Sequence, residues 1–303
     1  MATWESEHTK YSKELDKQVL TMDALLKKYK PEFDAVINSA YRKWAIDGVL
    51  KQQDLYEILT PKETTLFKKQ ISRWINDPIY SQNKQFVTKM KRVLLRKRLR
   101  RTDFLELNFH KVATKIKYYQ HGYLVNYLYN DWLDASRTVA RLMNESFTVA
   151  GDDIIYATIN KKFNGTDLLS RVYNLATDLA DRWQKLVKNA LGKLGKKLEA
   201  LKPMLEFYFS KGDGVARNQM RVEATRINTA SKLDSFKRLD IKYLQFIAVM
   251  DSVTTNVCRH QDLKVIRVDK AVQGENVPPL INEVYHTCRS TIKAYDIDDR
   301  TNF

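Results

Sequence analysis

Two cysteines and two histidines near the C-terminus have the chemistry to hold a metal ion. Cys258 and His260 form a Cys-x-His pair, and His286 and Cys288 a His-x-Cys pair. Thiolate and imidazole are the usual donors of tetrahedral zinc. Both cysteines of the chain and two of its five histidines fall within these 31 residues. The one-residue spacing is tighter than the roughly two to four residues common between zinc ligands. A hydrogen-bonded thiol and imidazole cluster therefore explains the same residues, and a Cys258–Cys288 disulfide is a third arrangement, one that a reducing compartment disfavours. A nucleophilic Cys258 with His260 or His286 as base would need an acid and an oxyanion-binding turn, and none accompanies them. Gly212-Asp213-Gly214 is too short for a phosphate loop, and no Walker, nucleophile-elbow or HExxH pattern occurs. No enzymatic activity is expected.

A second set of residues has charge as its chemistry. The chain carries a formal charge of +16, and residues 81–120 hold twelve Lys or Arg against two acids, Asp103 and Glu106. Within them, Lys89, Lys91, Arg92, Arg96, Lys97, Arg98, Arg100 and Arg101 surround an apolar stripe of Val93, Leu94 and Leu99, the pattern of a basic amphipathic helix. Two readings stay open: a solvated face that docks on an acidic partner, or a surface for the phosphate backbone of double-stranded DNA. Tyr118, Tyr119 and Tyr123 are expected to be core, so base stacking is not indicated, and DNA contact would be non-specific.

The elements that must position these residues are mostly helices. Gly (9) and Pro (6) are scarce in 303 residues while apolar residues make up 44%, which favours long helices over disordered linkers. Lys30-Pro31, Thr60-Pro61 and Asp77-Pro78 punctuate the first hundred residues into short helices. Thr60, Pro61 and Glu63 form a capping box for a helix that stops near Asn76. An aromatic-rich helix is predicted over 104–148, with Tyr118, Tyr119, Tyr123, Tyr127, Tyr129 and Trp132 in the core and Gly122 the one weak point. Asn164 to Asp167 read as a turn and cap before a long helix striped by Leu168, Val172, Leu175, Leu179, Trp183 and Leu186, with a lysine-rich tail that Pro203 ends or kinks. One more helix, about Val215 to Leu239, precedes β segments at Lys242–Met250, Leu263–Val268 and Ser290–Tyr295. The prediction is a mainly α chain with a small C-terminal α+β domain and an extended helical N-terminal two thirds. Its regions are 1–103, basic and helical; 104–213, built on long helices; and 214–303, the α+β domain.

The acidic N-terminal residues and the absence of a long apolar run predict neither a secretory signal nor a membrane span.

The last ninety residues contain an ordered set of short motifs. Arg221, Glu223, Arg226 and Asn228 fall in an R-x-E-x-x-R-x-N pattern; Asp251 ends a strand; a Cys258-containing turn runs to Asp262; Pro278-Pro279 and His286-x-Cys288-Arg289 follow. This order resembles the Mu F-like family of bacteriophage head-morphogenesis proteins, over about 85 residues. Thr255 stands where the family often has a first cysteine, Asp262-Leu263 where it has Asp-Gly, and Ser290 where it has a last cysteine. Ile281 to Tyr285 are extra. Glu223 and Arg226 share a helical face, either as a solvated pair on a buttressing helix or as buried hydrogen-bonding groups that tie the helix to the Cys/His loops.

The resemblance implies a minor capsid protein inside the phage head, associated with the portal and incorporated during procapsid assembly in the host cytoplasm, with roles in genome packaging or ejection. Its partners would be the portal protein, scaffold or major capsid protein, and the packaged DNA, with no membrane contact. A structural zinc is the one cofactor to consider. The competing reading is a sequence-independent nucleic-acid-binding accessory protein that acts outside a capsid.

Overall fold

The computed structural model describes residues 3–250, 254–280 and 289–296. The helices are α1 (Trp4–Lys28), α2 (Lys30–Trp44), α3 (Pro61–Ile75), α4 (Pro78–Ser81), α5 (Lys84–Leu95), α6 (Arg101–Leu142), α7 (Asp152–Asn160), α8 (Leu168–Leu191), α9 (Leu198–Ser210), α10 (Gly214–Arg238) and α11 (Asn256–Gln261). Short strands β1 (Val49–Leu50) and β2 (Lys196–Lys197) pair antiparallel. Strands β3 (Tyr243–Ile247), β4 (Val265–Arg267) and β5 (Thr291–Tyr295) form an antiparallel sheet in the order β4-β3-β5. The chain is thus mainly α with a small C-terminal sheet, as its pattern predicts. Among the described residues no helix is long and apolar enough to cross a membrane.

The chain folds into two compact units. One comprises residues 1–21, 123–168 and 215–303; the other comprises 22–122 and 169–214. The units divide at 214/215, beside the expected 213/214 boundary, but the C-terminal residues share their unit with 1–21 and 123–168, and the expected boundary at 103/104 lies inside α6, a continuous 42-residue helix that contributes to both units. Charge follows the units. The second contains 31 Lys and Arg against 15 Asp and Glu, and the first contains 21 of each, so the entire net charge of +16 belongs to the second. We call them the basic and the neutral unit.

In the basic unit, the capping box of α3 forms as the sequence predicts: Thr60 Oγ1 accepts from the Glu63 backbone N–H, and Glu63 accepts from that of Thr60. Its core stacks aromatic rings, with Phe33 4.9 Å from Trp183 and 5.1 Å from both Phe109 and Phe209. Three sequence expectations are corrected. The first helix runs 25 residues rather than being short. Pro203 neither ends nor kinks off the lysine-rich tail; it lies inside α9. The tail is broken earlier, at Gly192 and Gly195, whose positive φ values (60° and 78°) leave the helix as only glycine does readily. Finally, the basic run is not one helix. Leu59 N–H donates to the Leu99 carbonyl and Arg101 N–H to that of Glu57, so 96–100 is drawn out beside 57–59, Leu99 is buried, and Leu95 is left exposed.

A buried polar knot closes the same unit. Lys117 Nζ donates to Asp213 Oδ2 (2.7 Å) and Gln120 Oε1 (2.8 Å), and the Asp213 N–H donates to Asp23 Oδ1 (2.8 Å). Burial pulls the Lys117 ammonium down and Asp213 pulls it back up. Gly212 adopts φ 70°, and a Cβ there would sit 2.5 Å from the Asp23 carboxylate. Gly212→Ala is therefore expected to cost about 1–3 kcal/mol from backbone strain and displacement of Asp23. Chemical denaturation would show it as a lowered midpoint.

In the neutral unit, Val139, Leu233, Phe236, Leu244, Val268, Val277 and Ile292 make the core beneath the sheet. The tyrosines of α6 depart from expectation. Trp132 is buried, but Tyr118, Tyr123, Tyr127 and Tyr129 are half-buried and Tyr119 is exposed. Their hydroxyls need polar partners, so they stay where such partners or water can be reached.

Candidate functional site

The motif helix α10 is enclosed on every side for two turns, since all seven residues from Glu223 to Thr229 are buried. Small polar side chains make this possible. Ser231 Oγ donates to the Trp132 carbonyl (2.7 Å) and shares a hydrogen bond with Ser136 Oγ (2.8 Å), while Asn228 Nδ2 donates to Asp131 Oδ1 (3.2 Å). Buried polar groups of this kind are tolerated because each has a partner.

Glu223 is fully buried. Arg226 Nε donates to Glu223 Oε2 (2.9 Å), and its two terminal nitrogens donate to the carbonyls of Thr158 (2.9 Å) and Ile159 (2.7 Å). Those carbonyls end α7, so the guanidinium caps that helix at the pole where a cation is favoured. Glu223 and Arg226 are buried rather than solvated; the described bonds of Arg226 go to α7, and the His286–Cys288 part of the Cys/His loops lies outside the described residues. Gln273 supplies the other tie, donating to the Arg226 carbonyl (2.6 Å) and to the Pro278 carbonyl (3.3 Å). Pro278 and Pro279 are buried beside it. Arg221 belongs to a different environment, in a half-exposed pair with Asp16 at 2.9 Å.

Cys258 is buried on α11 against Phe246 and Leu280, whereas His260 is exposed, its Nδ1 2.8 Å from the Asn256 carbonyl. Two positions apart on a helix, their side chains leave about 200° from each other. As arranged, this pair does not fit one tetrahedral zinc ion. His286, Cys288 and Asp251 lie outside the described residues.

Two departures from the family pattern have a structural account. Thr255 is the N-cap of α11, its side chain accepting from the Cys258 N–H. Leu263 has φ 61°, the left-handed conformation that glycine favours. Asp262 stabilises this turn by accepting from the Ala248 N–H (2.8 Å). Arg289 and Ser290 precede β5, and the Arg289 carbonyl accepts from His8 Nε2 (2.8 Å).

The basic run in the other unit divides by engagement. Lys89 pairs with Glu106 and lies 2.6 Å from His110 Nε2; Arg96 pairs with Asp103 (2.7 Å); and Arg101 pairs with Glu57 (2.6 Å). Lys91, Arg92, Lys97, Arg98 and Arg100 are exposed, with no ion pair among the described residues. On the neighbouring α3, Lys62, Lys69 and Arg73 fall in one exposed helical stripe. Sequence reasoning missed this second row because its bases are spread along the helix rather than gathered in one run. It also missed Asp131 and Lys232, both buried in the neutral unit. The available signal was the composition of α10, which is rich in Ser, Thr and Ala and has no apolar stripe.

No protein-family model, curated protein or solved structure matches this chain.

Substitutions test the motif helix and its turn. Arg226→Met removes the cation paired with the buried Glu223 and should cost about 3–5 kcal/mol, against less than about 1 kcal/mol for Arg221→Ala at the half-exposed pair; urea unfolding compares them directly. Leu263→Gly should stabilise by roughly 1 kcal/mol, because it relieves a left-handed leucine that is mostly solvent-exposed.

Proposed function

We propose that this chain is a phage minor head protein, associated with the portal inside the procapsid and aiding head morphogenesis. The observation that supports this reading best is the joining of the ordered motifs. The Arg221–Asn228 helix, the Asp262 turn and Pro278-Pro279 come together in one unit, and the Glu223–Arg226 pair is buried at its centre. On this reading the neutral unit is the scaffold shared with the family, and the basic unit is the contact surface.

A net charge of +16 confined to one unit of the chain generates a positive potential that attracts polyanions and is screened over about 10 Å at 0.1 M salt. Inside a head, the available polyanions are packaged DNA and acidic faces of the portal. The same charge also favours a second reading, a DNA-binding accessory protein that works without a capsid. Pull-down with tagged protein separates the two. Portal subunits recovered at moderate salt after nuclease treatment support the head protein, and recovery of nucleic acid alone supports the accessory.

For binding to DNA, replacing Lys91, Arg92, Lys97, Arg98 and Arg100 by Gln should weaken duplex affinity at low salt. It should also flatten the slope of log K against log salt by up to about 4 to 5, at roughly 0.9 for each phosphate that the variant no longer neutralises. An unchanged slope in the variant means that the duplex is held elsewhere.

A further inference from the structure

The neutral unit holds a cavity of about 660 Å³ that none of the motifs accounts for. It lies among the N-terminal part of α1, the second half of α6 and the middle of α10, and its size falls within the roughly 300–1,000 Å³ of small-molecule sites. Its walls include Trp4, Tyr11, Tyr123 and Tyr127. Two buried groups of opposite charge face into it. Asp131, 5% exposed, accepts from two neutral donors at hydrogen-bond limits, Asn228 Nδ2 at 3.2 Å and Tyr11 Oη at 3.3 Å. Lys232, 6% exposed, donates to Thr291 Oγ1 at 2.6 Å. No ion pair joins them, so their charged atoms stand more than 4.0 Å apart, and neither has another oppositely charged partner among the described residues.

Buried charges held apart in this way are costly, because each is desolvated and neither neutralises the other. The electrostatics agree with the geometry. Burial pushes the Asp131 carboxyl up to about 7 and pulls the Lys232 ammonium down to about 8, each opposed by the other's charge. His8, at the same wall, is pushed down to about 4 by burial and by Lys232, and stays neutral at pH 7. Most of the remaining charges of the lining are paired: Glu7 with Arg141 (2.7 Å), Asp134 with Arg137 (2.8 Å), and Glu14 with Lys17 outside the lining (3.3 Å). Lys10 is exposed at the rim. The lining has four acids and four bases, so its formal charges sum to zero. It offers instead a buried carboxyl and a buried ammonium, neither of which has a direct ion-pair partner among the described residues. Asn228, which holds Asp131, and Lys232 are four residues apart on α10, roughly 6 Å along its axis.

We propose that this cavity binds a small zwitterion of the amino-acid class, its ammonium against Asp131 and its carboxylate against Lys232. The tyrosine and tryptophan walls receive the ligand's side chain, and an aromatic face also suits the ammonium. Tyr11 and Asn228 orient Asp131, and Thr291 orients Lys232. The site is independent of any contact the basic unit makes.

Calorimetric titration and thermal melting of the full chain at pH 7 with each of the free L-amino acids test this. At least one should bind and raise the melting temperature. For that amino acid, the corresponding amine without its carboxylate and the acid without its ammonium should each bind at least about tenfold more weakly. Asp131→Asn and Lys232→Met should each lower affinity to a similar extent while the variant still melts cooperatively. If a variant does not fold, the two ligand truncations on the unaltered protein report the same two contacts. The proposal is overturned if no amino acid binds at millimolar concentration, or if removing either charge from the ligand leaves affinity unchanged.

Discussion

The guanidinium of Arg226 meets every demand of its surroundings at once. It neutralises a carboxylate that has no exposure, and it donates to the Thr158 and Ile159 carbonyls in the last turn of α7. A buried Glu223 without this partner would be a desolvated charge, and the enclosed two turns of α10 are tolerable only because the pair is complete. From that centre the contacts extend outward. The Arg226 carbonyl receives Gln273, Gln273 reaches the Pro278 carbonyl, and the serine and asparagine contacts align α10 with α6. The sheet then packs on Leu233 and Phe236, on the part of α10 that follows.

The two units solve different problems. The neutral unit puts polar and charged groups inside and satisfies them with specific geometry, which makes it sensitive to the identity of single residues. The basic unit builds a conventional core of stacked aromatic rings and leaves its charge outside, where Lys91, Arg92, Lys97, Arg98 and Arg100 face solvent. A surface of this kind recognises sign and spacing rather than sequence or shape.

The opposite charges across the cavity of the neutral unit are the exception to its completeness. Elsewhere in that unit the buried ion pair Arg226–Glu223 meets at 2.9 Å and Ser231 reaches the Trp132 carbonyl at 2.7 Å. At Asp131 the contacts lengthen to 3.2 and 3.3 Å and no cation arrives. Polar interiors left incomplete in a concave site are where ligand chemistry is expected, because binding free energy is available from groups that folding did not satisfy.

Much was legible from local pattern. The Thr60 capping box, the stop near Asn76, the helix from about Val215, the three strands and the ordered motif were all read from residue types a few positions apart, because capping, hydrophobic periodicity and turn chemistry are local interactions. Where a residue's role depends on a segment far along the chain, that locality fails. Leu99 leaves the basic helix because Leu59 pulls on its carbonyl; Pro203 sits within a helix because glycines ended the previous one; and the α6 tyrosines are half-buried because their polar partners lie on α1 and α7. The sequence by itself determined the helical class, the small sheet, the motif order and the excess of positive charge. Only the tertiary structure decided that all of this excess belongs to one unit, that Arg226 caps α7, and that Asp131 and Lys232 share a cavity. Each of those depends on contacts between residues nearly seventy to a hundred positions apart, whose pairing no local pattern encodes.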